Sequence, residues 1–319
     1  MSGREDGNRT DLDGLSLEAA VDSVDSVDDS AERETVRETL AIVSEGGTVR
    51  RAAVDDVLAN ASKVVTTAET RAELAAGKLE DVRETAAPVS DLAPVAARLD
   101  RFEARLESIR ERTTTLGERL RRIVEDKDEG GLYELAAEIR RLTATAKEVQ
   151  RDADDLQFEL DPLEAWLETP DRRVEALVED VDAVEASLEG IEATIGTLSA
   201  DDTDTGTDPA VAWAAASIQH RVAALLIADL RAELASLREW ADREGTEPPS
   251  DVEPQLDELA TRRDRVGQRL AEVADPAWRD RFGDRIGSFE DELDGVEPPV
   301  ERADLEDTIQ RYRPDPGGE

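Results

Sequence analysis

Large apolar residues recur every three or four positions through the middle of the chain, which is the spacing of one apolar stripe along an α-helix. Gly130-Gly131 and Pro170 divide the stripe into three blocks. Each block lasts more than four helical turns, a length typical of coiled coils. The stripe positions are Leu92, Val95, Leu99, Phe102, Leu106, Ile109, Thr113, Leu116, Leu120 and Ile123, then Leu135, Ile139, Leu142, Ala146, Val149, Ala153, Leu156, Leu160, Leu163 and Leu167, and finally Val174, Leu177, Val181, Val184, Leu188, Ile191, Ile195 and Leu198.

The stripe and its turn residues predict three long helices over about 91–127, 132–168 and 171–199. Because their connections are short, consecutive helices are expected to run antiparallel. Pro162 lies inside the second block and predicts either a kink or a restart of the helix capped by Asp161.

We therefore predict an all-α fold, an elongated antiparallel helical bundle or coiled coil of long heptad helices with short helical N- and C-terminal parts. No run of alternating β-branched and aromatic residues predicts a strand. A further long helix is expected over about 49–87, where the stripe is mostly alanine and valine. Shorter helices are expected near 17–24, 31–44, 251–274, 277–293 and 301–312.

Polar and proline-rich or glycine-rich segments predict how the chain is divided. The predicted parts are a disordered start plus a short helical hairpin (1–47), a long antiparallel coiled-coil bundle (48–199), an acidic linker (200–208), an apolar helix that packs on the bundle (209–245), a C-terminal helical subdomain (251–313) and a loose tail (314–319).

The charge balance is strongly acidic, with 39 Lys and Arg residues against 78 Asp and Glu residues and a formal net charge of −39. At about 1 M salt the Debye length is roughly 3 Å, so the self-repulsion of such a chain nearly vanishes. This balance indicates a protein from an extreme halophile. An acidic mimic of nucleic acid is the alternative, but the charge is spread along every helix.

The sequence contains almost none of the cysteine and histidine residues on which recognisable catalytic and metal-site motifs depend, and its many carboxylates form no such motif. There is no cysteine, which excludes disulfides and thiolate metal sites, and His220 is the only histidine. A single histidine excludes the paired Glu-x-x-His ligands of di-iron bundles, and histidine-dependent nucleophile systems find no support. We predict no enzyme activity and no catalytic, cofactor or metal site. The tryptophans Trp166, Trp213, Trp240 and Trp278 are expected to serve packing, with stacking on a ligand as the alternative.

The most apolar part of the chain lies in the helix predicted from residue 209, with Arg221 and Asp229 at its edges. These charges argue against a membrane span, which needs about 20 consecutive apolar residues. The segment is expected to be the core of a bundle, with a partner interface and a membrane surface as alternatives. The residues of the possible partner interface are Val222, Leu225, Leu226, Ile227 and Leu230.

One N-terminal region has the pattern of a helix-turn-helix. A helix near 31–44 is followed by Glu45-Gly46-Gly47 and by a helix expected from Thr48. Arg50 and Arg51 then fall where a recognition helix contacts DNA. An ordinary αα-hairpin is the alternative, because the flanks are acidic and DNA binding needs positive surface.

The segments Val64–Arg71, Leu132–Ala137 and Ile218–Val222 resemble a group of haloarchaeal helical proteins named halo transducer protein. The resemblance covers about 40–245 and implies kinship with chemotaxis or light-signal transducers. It supplies no site residues.

Together these features predict a non-enzymatic interaction protein, a cytoplasmic signalling adaptor or scaffold that contacts protein partners, or itself, through coiled-coil helices. Its N-terminus is polar and shows no secretory signal. The alternatives are a DNA-binding regulator and a membrane-peripheral protein.

Overall fold

The computed structural model describes residues 12–24, 30–200, 208–300 and 302–314, and over these residues the fold is essentially all-α. The predicted disordered start, most of the acidic linker and most of the loose tail lie outside the described residues. The helices within the described part are α1 (Leu17–Ser23), α2 (Ser30–Ala41), α3 (Ala53–Ala86), α4 (Ala93–Asp126), α5 (Leu132–Glu168), α6 (Pro170–Leu198), α7 (Pro209–Glu244), α8 (Val252–Val273), α9 (Pro276–Leu293) and α10 (Arg302–Tyr312).

Capping residues explain where several of these helices begin and end. The carboxylates of Asp208 and Asp275 accept hydrogen bonds from the first backbone N–H groups of α7 and α9, and a proline follows each of them. Gly245 ends α7 in the left-handed conformation with φ of 69°. The helix α5 continues through Pro162 without a restart.

The expectation of no strand is wrong at one place. Two short strands, β1 (Ser44–Glu45) and β2 (Thr48–Val49), form an antiparallel hairpin between α2 and α3. Gly46 and Gly47 form its two-residue turn with φ of 59° and 79°, values that other residues rarely adopt. The role of the two glycines is therefore to form the turn between β1 and β2, and α2 ends before them, at Ala41.

The structure divides into two compact units. Unit 1 comprises Met1–Glu84 and Arg101–Leu163, and unit 2 comprises Thr85–Asp100 and Glu164–Glu319. The division falls inside α3, α4 and α5, each of which contributes residues to both units. Unit 2 holds α6 together with α7, α8 and α9.

In unit 1, cross-helix pairs define the directions of the long helices. Arg71 of α3 pairs with Asp154 of α5 at 3.1 Å, and Lys78 pairs with Asp161 at 3.0 Å. From the first pair to the second, the residue numbers rise in both helices, so α3 and α5 run in the same direction. Arg105 of α4 pairs with Glu159 of α5 at 2.9 Å, and Arg112 of α4 pairs with Asp152. The residue numbers rise in α4 while they fall in α5, so these two helices run in opposite directions. The stripe residues of α5 in this unit are all buried.

In unit 2, the helix α7 packs against α6, α8 and α9. Its Trp213 Nε1 donates to the carbonyl of Leu270 on α8 at 3.1 Å. The stripe of α6 is buried from Leu177 to Ile195. These contacts make α7 a core helix of this unit.

A cluster of tryptophan and arginine side chains joins the end of α5 to the start of α6 and the end of α7. The rings of Trp166 and Trp240 meet edge to face with centroids 5.3 Å apart. The guanidinium of Arg98 lies 4.1 Å from the Trp166 ring, and that of Arg173 lies 3.9 Å from the Trp240 ring. Arg173 is only 4% exposed and pairs with Glu244 at 2.5 Å. This cluster confirms the packing role expected for these two tryptophans.

Candidate functional site

The residues predicted as a partner interface on α7 lie on different faces of the helix. Ile227 and Leu230 are 3% and 4% exposed within unit 2, so a partner cannot reach them in this fold. Val222, Leu225 and Leu226 are half-buried. At most these three residues of the predicted set contribute to a surface.

Within the described residues, one helix is long and apolar enough to cross a membrane, namely α7. More than half of its most apolar 18-residue window is buried inside the structure. Length and composition of this kind also occur in core helices of soluble proteins, so they do not decide where the protein is located.

The predicted helix-turn-helix is not formed, because the hairpin separates α2 from α3 and the second helix begins only at Ala53. Arg50 is exposed, but Arg51 has a structural role. Its guanidinium donates to the carbonyls of Lys127 at 3.0 Å and Gly130 at 2.9 Å, after the end of α4. Arg51 therefore binds the turn that follows α4, and its guanidinium is engaged within the protein.

Two large apolar side chains are exposed at one level of unit 1. Phe158 of α5 is 76% exposed and Leu74 of α3 is 52% exposed. Leu74 lies between Arg71 and Lys78 on its helix, and Phe158 lies between Asp154 and Asp161, three or four residues from each. Because the pairs Arg71–Asp154 and Lys78–Asp161 bridge α3 and α5, Leu74 and Phe158 lie at the level between the two bridges on neighbouring helices. We call these two residues the Leu74–Phe158 patch.

A proline removes one helical hydrogen bond at this patch. Pro162 has no N–H, so the helical hydrogen bond to the carbonyl four residues earlier cannot form. That carbonyl belongs to Phe158. The most exposed aromatic side chain and a carbonyl without its helical partner therefore belong to the same residue.

A separate cleft lies in unit 2 among α7, α8 and α9 and has a volume of about 750 Å³. This volume is within the range of small-molecule sites. Gly267 of α8 and Gly283 and Gly287 of α9 line the cleft, together with the larger side chains of Trp213 and Ile286. Gly283 and Gly287 leave the backbone of α9 bare where they line the cleft, because no atom lies within 4 Å of the position of a Cβ on either residue.

His220, the only histidine, lines this cleft and is 8% exposed. Burial lowers the pKa of His220 below its usual range, and the charges of Arg221 and Arg263 act in the same direction. The ring is therefore neutral at pH 7. Its Nε2 donates to the carbonyl of Arg263 at 3.0 Å, since a carbonyl can only accept.

Gly267 is required where the His220 ring crosses α8. A Cβ at this position would lie 2.8 Å from Nε2 and 2.9 Å from Cε1 of His220. The imidazole can reach the carbonyl of Arg263 only because Gly267 has no side chain. His220 therefore connects α7 to α8 as a buried structural residue at the edge of the cleft.

We expect Gly267→Ala to destabilise the protein by about 1–2 kcal/mol, because the new methyl group displaces the His220 ring and its hydrogen bond. In the His220→Ala background the same substitution should be neutral or stabilising by up to about 1 kcal/mol, since alanine favours helix more than glycine. Chemical denaturation of the four proteins in a double-mutant cycle checks this change of sign. Equal destabilisation in both backgrounds would contradict the contact.

Neither the sequence nor the fold matches a known protein in comparisons with protein families, with curated proteins and with solved structures.

Sequence reasoning missed the Leu74–Phe158 patch and the glycines of the cleft. The signal for Phe158 was present, because it lies two residues from both Leu156 and Leu160 and so falls off the buried stripe. Gly283 and Gly287 are four residues apart in a helix, which places them on one face. No local signal indicates that Gly267 lies opposite His220.

Proposed function

We propose that the protein is a non-enzymatic helical adaptor or scaffold that binds a partner protein through the Leu74–Phe158 patch. The observation that carries this proposal is the 76% exposure of Phe158 beside the exposed Leu74. Exposed apolar side chains that lie together on a polar surface are characteristic of interaction sites. The groove between two parallel helices suits a third amphipathic helix.

The charges around the patch favour a partner helix with basic flanks. Asp154, Asp155, Glu159 and Asp161 all lie within one turn of Phe158. Arg71, Arg105 and Lys78 pair with three of them, which leaves Asp155 outside these pairs. The Phe158 carbonyl offers a further acceptor for a lysine or arginine. The occupant we propose is therefore an amphipathic helix whose apolar face is bordered by cations.

We further propose that the apolar stripes of α3, α4 and α5 pack in the manner of a coiled coil. The support is the 3-4 spacing of the stripes and the cross-helix pairs that define their directions. A rigid support of this kind would hold the patch in a fixed geometry and suits a signalling adaptor, the role that the resemblance to halo transducer proteins implies.

Site-specific photo-crosslinking tests the proposed surface in cells at their native salt concentration. With p-benzoylphenylalanine at position 158, we expect crosslinks to one partner segment with apolar residues at i, i+3, i+4 and i+7 and with flanking Lys or Arg. Mass spectrometry identifies the crosslinked peptide. The matched control is position 124, since Val124 is also exposed, at 47%, on a helix of unit 1 but lies outside the patch.

The affinity of the identified segment, as a synthetic peptide, should fall at least about tenfold in the Leu74→Ser/Phe158→Ser variant, since burial of these side chains would be lost. Val124→Ser should bind as the native protein does. The proposal is wrong if position 158 gives no crosslink to another protein, or if both positions give the same crosslinks.

A further inference from the structure

The cleft among α7, α8 and α9 contains open space that a ligand could fill. A Cβ built on Gly283 or Gly287 meets no atom within 4 Å. Neither glycine is therefore required by close helix packing, in contrast to Gly267. Both residues line the cleft, whose volume is about 750 Å³.

The charged groups of the cleft already have partners within the protein. Arg221 pairs with Glu290 at 3.0 Å, and Asp264 pairs with Arg263 at 3.2 Å. The guanidinium of Arg279 donates to the carbonyl of Ala271. A charged ligand would have to enter the cleft without a counter-charge, which is unfavourable.

The remaining lining is apolar or neutral. Trp213 of α7, Leu270 of α8 and Ile286 of α9 supply the apolar part of the lining. The oxygen of Ser217, which donates to the carbonyl of Trp213 at 2.8 Å, keeps lone pairs that can accept a hydrogen bond. The amide of Gln268 also lines the cleft and can both donate and accept.

We propose that this cleft binds an uncharged, planar aromatic compound of one or two fused rings with one or two hydrogen-bonding groups. A flat ring would lie against the glycine backbone of α9, in the space that side chains at positions 283 and 287 would fill. Ser217 and Gln268 would fix its orientation. The net charge of −39 affects such a ligand little, because the ligand carries no charge.

The experiment uses indole as the probe and the indole N–H signals of the four tryptophans as the readout in a two-dimensional NMR spectrum of the full chain. We expect a saturable shift of the Trp213 signal with a dissociation constant on the order of 1 mM, as suits a fragment of nine non-hydrogen atoms. Indole-3-acetate and tryptamine carry opposite charges and should each bind at least about fivefold more weakly.

Variants that fill the cleft supply the decisive comparison. Gly283→Leu and Gly287→Leu should each weaken indole binding at least about tenfold. Gly190→Leu, at an exposed helical glycine on α6 with no neighbour within 4 Å, should bind as the native protein does. Unchanged signals of Trp166 and Trp240, which lie in the tryptophan–arginine cluster, show that a variant is folded.

Three results would overturn the proposal. The first is the absence of a saturable shift of the Trp213 signal, and the second is native binding in both cleft-filling variants. In the third, a charged analogue binds more tightly than indole, which would exclude an uncharged ligand. None of these results bears on the Leu74–Phe158 patch, which belongs to unit 1.

Discussion

Transfer of the protein from about 2 M to about 0.05 M KCl is expected to unfold it or to lower its melting temperature by more than about 20 °C. The net charge of −39 causes self-repulsion that dilute salt does not screen. We estimate the cost of this repulsion at roughly 10 kcal/mol, which is comparable with the whole net stability of a folded protein. Thermal unfolding followed by circular dichroism over a KCl series measures the effect.

The ion pairs of the described residues do not offset this repulsion. In most of them both side chains are partly exposed, as in Arg71–Asp154 with 47% exposure of each. Exposed pairs contribute about 0–1 kcal/mol each. The excess of carboxylates is therefore left for dissolved cations to screen.

A control separates screening from a general effect of cosolvents on burial. Sucrose at matched osmolality favours compact states without screening charge, so it should rescue the low-salt protein only partly. A few millimolar of a trivalent cation should rescue it at low ionic strength. A melting temperature that changes by less than about 5 °C across the KCl series would refute the proposed halophilic adaptation.

The long helices were predictable because two independent signals agree along the chain. The apolar period defines the buried face, and Gly130-Gly131, Pro170 and Pro209 mark the helix ends. The helix predicted over 132–168 is the observed α5. The helix predicted from about residue 49 is the observed α3, which begins four residues later, at Ala53. The difference arises because the hairpin pairs Thr48 and Val49 in β2 before the helix can begin.

Contacts between helices were not predictable, because they depend on which helices become neighbours. The apolar stripe predicts that Val174 is buried at the start of α6, but the buried residue at that place is Arg173. A buried arginine is possible only because Glu244 and Trp240 of α7 arrive beside it, and these residues are more than 60 positions away. The contact between His220 of α7 and Gly267 of α8 was not predictable for the same reason, since the two residues are far apart in the sequence.

The substitution Arg173→Ala is expected to destabilise the protein by about 3 kcal/mol, which corresponds to a melting temperature lower by about 6–12 °C. Arg173 is 4% exposed, and its guanidinium donates to the carbonyl of Leu167 at 2.9 Å while it stacks on Trp240. Removing it leaves the partly buried carboxylate of Glu244 without its cation. Thermal unfolding at about 2 M KCl measures the loss under conditions where long-range repulsion is screened.

The neighbouring residue supplies the matched control for Arg173. Arg172 has the same side chain, but it is 66% exposed, and its ion pair within the described residues is with Glu175 on its own helix. Arg172→Ala should therefore change stability by less than about 0.5 kcal/mol. Arg173→Lys keeps the positive charge but loses the planar stacking on Trp240 and the several N–H donors of the guanidinium. It should therefore recover less than half of the stability that Arg173→Ala loses. If Arg172→Ala and Arg173→Ala cost the same, the tryptophan–arginine cluster does not hold α6 and α7 together.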